Sequence, residues 1–254
     1  REGIVTSTSA LVLAPAFATV GKWLAEEERL GVGVHLAAVG EDPPLLGAKE
    51  IPTLVDGRGR LARDWRTFLA WTVAGRVDPD DLAREFRAQL DAVLGLGVAV
   101  THLDTHQHLH LWPTVREVVL DLAVEAGVRG VRVPRSRSVV KGLGIAYLSR
   151  QLASGAAARG LVFPDDAAGL DEAGHMDDRA LALALDRLAE TDAAAVELSA
   201  HPGEGDDPDR DRYRWNYEWE RELQALTAPA ARRAAMAHGF VLGSYRDLAE
   251  RKGG

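Results

Sequence analysis

With 254 residues, 46% of them hydrophobic and 27% charged, the chain is long enough for one large α/β domain and has the composition of an ordinary globular protein. Its 30 basic and 38 acidic residues give a net charge of −8, which disfavours nucleic acid and anionic membranes as partners. Cysteine is absent, so disulfides and thiolate metal sites are excluded and any metal must rest on His, Asp or Glu.

No apolar run approaches the length of a membrane span, and no signal-like n-region and h-region opens the chain, so the cytoplasm is the expected compartment. Strand and helix patterns then alternate to the end. Ile4–Leu13 reads as a buried strand interrupted by Thr6, Ser7, Thr8 and Ser9, and Pro15–Leu30 as a helix. Gly31–Leu36 reads as a short buried strand carrying His35, and Glu41–Arg63, rich in Pro and Gly, as a long loop. A short helix is expected over Trp65–Ala74. A stronger one follows Asp78-Pro79-Asp80-Asp81, where an N-cap, a first-turn proline and acids coincide ahead of Leu82, Phe86, Leu90 and Val93.

The strand Val98–His106, the helix Thr114–Ala126 and the strand Gly130–Val133 come next. Val139–Ala158 reads as a helix broken by Gly142 and Gly144. A helix over Asp178–Glu190, a strand over Ala194–Ala200, a charged loop over Glu204–Arg214, helices over Trp215–Leu226 and Pro229–His238, and a closing strand over Phe240–Tyr245 complete the chain. Repeated βα units without a linker predict one domain over residues 1–254, built on a parallel sheet or barrel. In such folds functional groups gather at the carboxyl ends of strands, and His35, His106 and His201 all fall near predicted strand ends.

The densest chemistry lies in Thr101-His102-Leu103-Asp104-Thr105-His106-Gln107-His108-Leu109-His110, where four of the eight histidines fall within nine residues. In an extended strand alternate residues share a face, so His102, Asp104 and His106 project together, with His108 and His110 following if the strand continues. Imidazole and carboxylate are donors for zinc and other divalent ions. His106, at the strand end, is the better ligand candidate. His102 and Asp104 lie deeper, as partners that orient ligands, while structural and functional readings of His108 and His110 are balanced. His201, held before Pro202-Gly203, suits a general acid, and Glu197, four residues earlier, suits an orienting or paired acid. Arg132, inside a strand, requires a carboxylate or a ligand oxygen. Trp215, Tyr217 and Trp219 suit sugar stacking or helix packing equally.

Five stretches together resemble the YdjC-like family of carbohydrate deacetylases. They are Gly3–Ser9, Gly33–Leu36, Thr101–His110, Glu197–Gly203 and Gly243–Leu248, in family order over nearly the whole chain. The histidine-rich stretch is highly specific and the others are individually weak. The resemblance implies a distorted, incomplete (β/α) barrel with parallel strands, and one divalent ion, Mg²⁺ or Zn²⁺, held by an Asp-His-His set. In it His35 and His106 match the two histidine ligands and His201 the general acid. Arg132 matches, more loosely, an arginine of related deacetylases. The family's Asp-Asp segment, which supplies the third ligand and the base, precedes the Gly3–Ser9 stretch and has no counterpart here, so the resemblance implies a first strand upstream of Arg1.

The expected activity is metal-dependent removal of N-acetyl groups from amino sugars or their oligomers, with His201 and Arg132 catalytic, His35 and His106 on the metal, and His102, Asp104, His108 and Glu197 behind them or on the substrate. The expected partner is a small N-acetylated carbohydrate, and a homodimer is left open. Two alternatives stand beside this reading: another metal-dependent amidohydrolase or phosphoesterase, and a non-catalytic sugar-binding relative.

Overall fold

The computed structural model describes residues 3–138, 142–213 and 215–252. Six short parallel strands form among the described residues: β1 (Ser7–Ala10), β2 (Gly31–Leu36), β3 (Val100–Thr105), β4 (Gly130–Val131), β5 (Asp166–Ala168) and β6 (Val196–Leu198). Between and after them run nine helices among the described residues: α1 (Phe17–Glu26), α2 (Trp65–Val73), α3 (Pro79–Leu94), α4 (Pro113–Glu125), α5 (Gly142–Ala158), α6 (Asp178–Ala189), α7 (Trp219–Thr227), α8 (Pro229–Ala237) and α9 (Tyr245–Lys252).

Strands β1 to β4 pair in chain order, and a bridge from Gly130 to Val162 continues the series towards the separate β5–β6 pair. Strands laid side by side in chain order, without the reversal of a doubly wound sheet, are the staves of a barrel. Among the described residues the two sheets do not close into a ring, so the architecture is a distorted, open α/β barrel.

The main core packs Val32, Val34 and Leu36 of β2 and Leu103 of β3 against Leu82, Phe86 and Leu90 of α3 and Val115 and Val119 of α4. A second cluster joins Met176, Leu181, Leu185 and Leu188 to Ala225, Ala231 and Ala235 of α7 and α8. The spacing of Leu82, Phe86, Leu90 and Val93 forms one buried helical stripe, and the Asp78 side chain caps α3 by accepting from Asp80 N–H. Polar side chains on the same helix are also buried. Glu85 accepts from Leu45 and Leu46 N–H, Gln89 bonds both backbone groups of Ala37, and Asp81 accepts from Thr53. They fasten the long loop after β2 by its backbone, where an apolar helix face would leave those groups unpaired.

Several expectations from sequence need correction. The Ile4–Leu13 strand is confined to β1, because the chain turns at Leu11–Ala14. Helix α5 is continuous through Gly144, and Val139–Lys141 of the expected segment lie outside the described residues. Helix α7 starts at Trp219, not Trp215. The closing strand Phe240–Tyr245 does not form: residues 240–244 are irregular, and Thr6 Oγ1 donates to the Gly243 carbonyl. The chain then enters α9, whose start has a sequence signature: Ser244 and Asp247 bond each other's backbone N–H groups as a capping box.

Candidate active site

Parallel register places the polar residues in one row at the carboxyl ends of the strands. His35 of β2 is paired with Asp104 of β3. Arg132 follows the Leu103–Val131 pair and lies next to Asp104, its N–H donating to the Leu103 carbonyl. Glu197 of β6 reaches across to Arg132 Nε at 2.9 Å, and Tyr245 Oη donates to the other Glu197 oxygen at 2.9 Å. Arg132 Nη1 also bonds Asp104 Oδ2. Asp104 is fully buried and Arg132 nearly so. Burial works against the Asp104 carboxylate, but Arg132 and then His35 outweigh it and hold its pKa well below the usual range. Burial likewise opposes the Arg132 charge, and Asp104 and Glu197 more than restore it.

In front of this ion-pair chain stand two imidazoles. His35 Nδ1 lies 3.0 Å from Asp104 Oδ1, an oxygen with no donor of good geometry among the described residues. Asp104 therefore selects the His35 tautomer with Nδ1 protonated, leaving the Nε2 lone pair free. That Nε2 lies 3.3 Å from His106 Nδ1. Two donors about 2.1 Å from one tetrahedral ion are roughly 3.4 Å apart, so the pair fits two positions of a single metal site. Among the described residues no set of three His, Cys, Asp or Glu side chains is grouped to hold an ion. Burial, with His35 and His201 nearby, pushes the His106 pKa down to about 3, which keeps the imidazole neutral, as a ligand must be.

The strand does not carry the remaining histidines onward, contrary to the expectation for an extended run. It ends at Thr105 in a tight turn, His106–Leu111, with Gln107 and His108 both left-handed at φ 53°. Gln107 Oε1 accepts from Trp65 N–H, tying the turn to the start of α2. The reversal folds His110 back into the interior. There its Nε2 must donate to the Arg132 carbonyl at 3.0 Å, so Nδ1 accepts the Thr105 hydroxyl at 2.6 Å, and the ring is fully used in structure. His102 is equally occupied. Thr101 spends its hydroxyl proton on the Val32 carbonyl, so His102 Nδ1 donates to Thr101 and Nε2 accepts from Ser9, both at 3.0 Å. Its ring stacks on Tyr245 at 4.0 Å and fills the space that a side chain at Gly33 would need. His102 thus lies beneath the site, away from His35 and His106.

His201 follows β6 on a turn held by Glu222, a fully buried carboxylate that accepts from the His201 N–H. Burial, with His35 and Arg132 nearby, pushes its pKa down to about 4, and its Nδ1 is buried without a partner. His108 Nδ1 is likewise buried and unpartnered, and burial drives its pKa well below the ordinary value. His35, His106, His108, Arg132, Glu197 and His201 all line one cavity of about 1570 Å³, which runs from the strand ends inward between β1 and β6. The carboxylates on its wall are all engaged: Asp64 caps α2, Asp247 caps α9, and Glu197 holds Arg132 and Tyr245. Sequence reasoning overlooked Tyr245 as the link between Glu197 and His102, and the capping box at Ser244 was the signal that could have placed it.

The family model for YdjC-like proteins matches residues 1–237. A carbohydrate deacetylase of Brevibacillus brevis is 35% identical over 134 residues, covering 53% of this chain and 50% of that protein. A chitooligosaccharide deacetylase of Serratia marcescens is 28% identical over 253 residues, 98% of this chain and 90% of its own length. Against the Brevibacillus protein and the Clostridium beijerinckii carbohydrate deacetylase, the matched part spans about half of the relative's length. Among solved structures, an Enterococcus faecalis V583 protein provisionally described as a cellobiose-phosphate cleavage protein superposes with a TM-score of 0.79 at 22% identity, over 97% of this chain and 89% of that one, a likeness of fold. The chain belongs to the YdjC-like family.

Proposed function

We propose that this chain is the hydrolytic core of a carbohydrate deacetylase that removes N-acetyl groups from amino sugars or their oligomers. One observation carries the reading: His35 Nε2 and His106 Nδ1 converge to 3.3 Å on the wall of a large cavity, with Asp104 fixing the first ring from behind. The names of the Brevibacillus and Serratia relatives support it. His35 and His106 would hold one divalent ion, and imidazole donors favour zinc over magnesium. Such an ion supplies Lewis acidity, polarising the amide carbonyl and acidifying water.

The reaction joins the oxygen of water to the carbonyl carbon, breaks the C–N bond, and releases acetate and the free amine. His201 is neutral at pH 7, so it can protonate the departing amine only after taking up a proton. The attacking water provides that proton. Arg132 acts through Asp104. It keeps the carboxylate ionised, and the carboxylate holds His35 in the tautomer that presents Nε2.

The test combines acetate release from N-acetylchitooligosaccharides with measurement of bound metal. His35→Ala and His106→Ala should lose both metal and turnover. His201→Ala should retain the metal while turnover falls about 10²-fold or more. Full metal content and turnover in His35→Ala would overturn the assignment. Release of phosphate from sugar phosphates, with no acetate from acetylated sugars, would favour the phosphoesterase reading instead.

A further inference from the structure

Trp215, Tyr217 and Trp219 were ambiguous in sequence between helix packing and sugar stacking, and the structure adds Tyr213 to the same series. Helix α7 begins only at Trp219, so Trp215 and Tyr217 lie on non-helical chain and are not helix-packing residues of α7. The four rings form a continuous series with centroids 5.0, 5.6 and 5.0 Å apart. The series ends against the site: Trp215 lies 5.2 Å from the His106 ring and Tyr217 lies 5.0 Å from the His201 ring. None of the four is fully buried, and Trp215 and Tyr217 line the cavity.

These rings are also held in place before any ligand arrives. Trp215 Nε1 donates to Glu41 Oε1 at 3.2 Å. Tyr213 Oη donates to Asp42 Oδ2 at 2.8 Å, and Arg212 pairs with the other Asp42 oxygen. Tyr217 packs over Gly174, where any side chain would occupy its ring, and Glu218 N–H donates to the Gly174 carbonyl at 2.7 Å. Asn216, between the two cavity-lining rings, is left-handed at φ 58°. A fixed, half-open aromatic wall beside polar groups suits a ligand with one apolar face and a hydroxylated rim, which is the surface of a pyranose ring.

We propose that Trp215 and Tyr217 form a pyranose-stacking subsite that holds the sugar ring bearing the acetamide. This subsite selects sugar-borne acetamides over acyclic ones, and it rests on the deacetylase reading for its place in turnover. Tyr217 stands beside His201 because the amine that His201 protonates stays on the stacked sugar, while the acetyl group points towards His35 and His106.

The experiment compares wild type with Trp215→Leu, Trp215→Phe and Tyr217→Leu, each first shown by thermal melting to be folded. Calorimetric titration with di-N-acetylchitobiose measures binding, and acetate release from it and from an acyclic N-alkylacetamide measures turnover. Trp215→Leu should weaken chitobiose binding about tenfold and raise its KM alike, with kcat little changed. Trp215→Phe should restore most of the affinity, and in Trp215→Leu kcat/KM for chitobiose should fall more than kcat/KM for the acyclic amide. Tyr217→Leu, an independent variant, should behave like Trp215→Leu. Unchanged chitobiose affinity in both leucine variants would overturn the subsite, even if acetate release is normal. Trp215-dependent sugar binding without acetate release would keep the subsite and remove the deacetylase reading.

Discussion

Replacing Arg132 by methionine should expose how much the buried ion-pair chain contributes. The substitution keeps much of the side-chain length but removes the donors to Asp104 Oδ2 and Glu197 Oε1. Asp104, at 0% exposure, would keep only the misaligned His35 contact, and Glu197, at 11%, only the Tyr245 hydroxyl. Breaking a buried pair from one side costs about 3–5 kcal/mol because a charge is left uncompensated. That is a large share of a total stability of roughly 5–15 kcal/mol. The sign with pH follows from the same groups. In the wild type the Asp104 pKa is depressed, so its contribution is intact above the unfolded value of 3.8 and is lost only as pH falls through the lower folded value. Without Arg132, the largest charge opposing burial is gone, so the Asp104 pKa should rise and the folded variant should take up a proton at higher pH than the folded wild type does. The loss relative to wild type should therefore shrink by up to about 1.4 kcal/mol for each pH unit below the raised value. Urea unfolding of both proteins at pH 7 and pH 5 reads this difference, and adding Asp104→Asn to the variant should recover part of the loss. A loss under about 1 kcal/mol at pH 7 would refute the account of a mutually dependent buried chain.

Two further outcomes concern the interior histidines. Burial lowers the pKa of His102 to about 3 and of His110 to about 4, so between those values and the unfolded 6.5 the neutral ring is favoured only in the folded state. Stability should be full above the unfolded pKa of 6.5 and fall as pH drops below it, on the order of 1.4 kcal/mol per pH unit for each ring. Urea midpoints that stay flat from pH 7 to 4.5 would contradict this. Gly33→Ala should cost about 1–3 kcal/mol, because the new methyl meets a His102 ring pinned by Ser9, Thr101 and Tyr245. Gly57→Ala, whose methyl would meet nothing, serves as the control, and equal melting temperatures for the two would remove the packing argument.

Period and punctuation alone placed most elements of this protein. Helix α3 was legible because its cap, its first-turn proline and its apolar stripe are all local, and β2 because a short apolar run is bounded by turn signals. The importance of the segment around His102–His110 was legible from composition, since such a density of donors is rarely structural. The division of labour within it was not. Alternation predicted one shared face, but the left-handed Gln107 and His108 reverse the chain and spend His110 on internal hydrogen bonds, while Ser9 and Thr101 occupy His102 within the strand. The pairing of His35 with Asp104, and of Arg132 with both Asp104 and Glu197, depends on the register between strands far apart in the chain. The Phe240–Tyr245 segment had a strand-like pattern but is irregular up to the start of α9, and Trp215 and Tyr217 line the cavity where Glu41 and Gly174 meet them. Local sequence determined which residues can form helices, strands and ligands, because propensity, capping and donor chemistry act over a few residues. Which donors meet, which are already satisfied and which are left facing the cavity was decided by tertiary structure, because hydrogen-bond partners and burial come from distant segments.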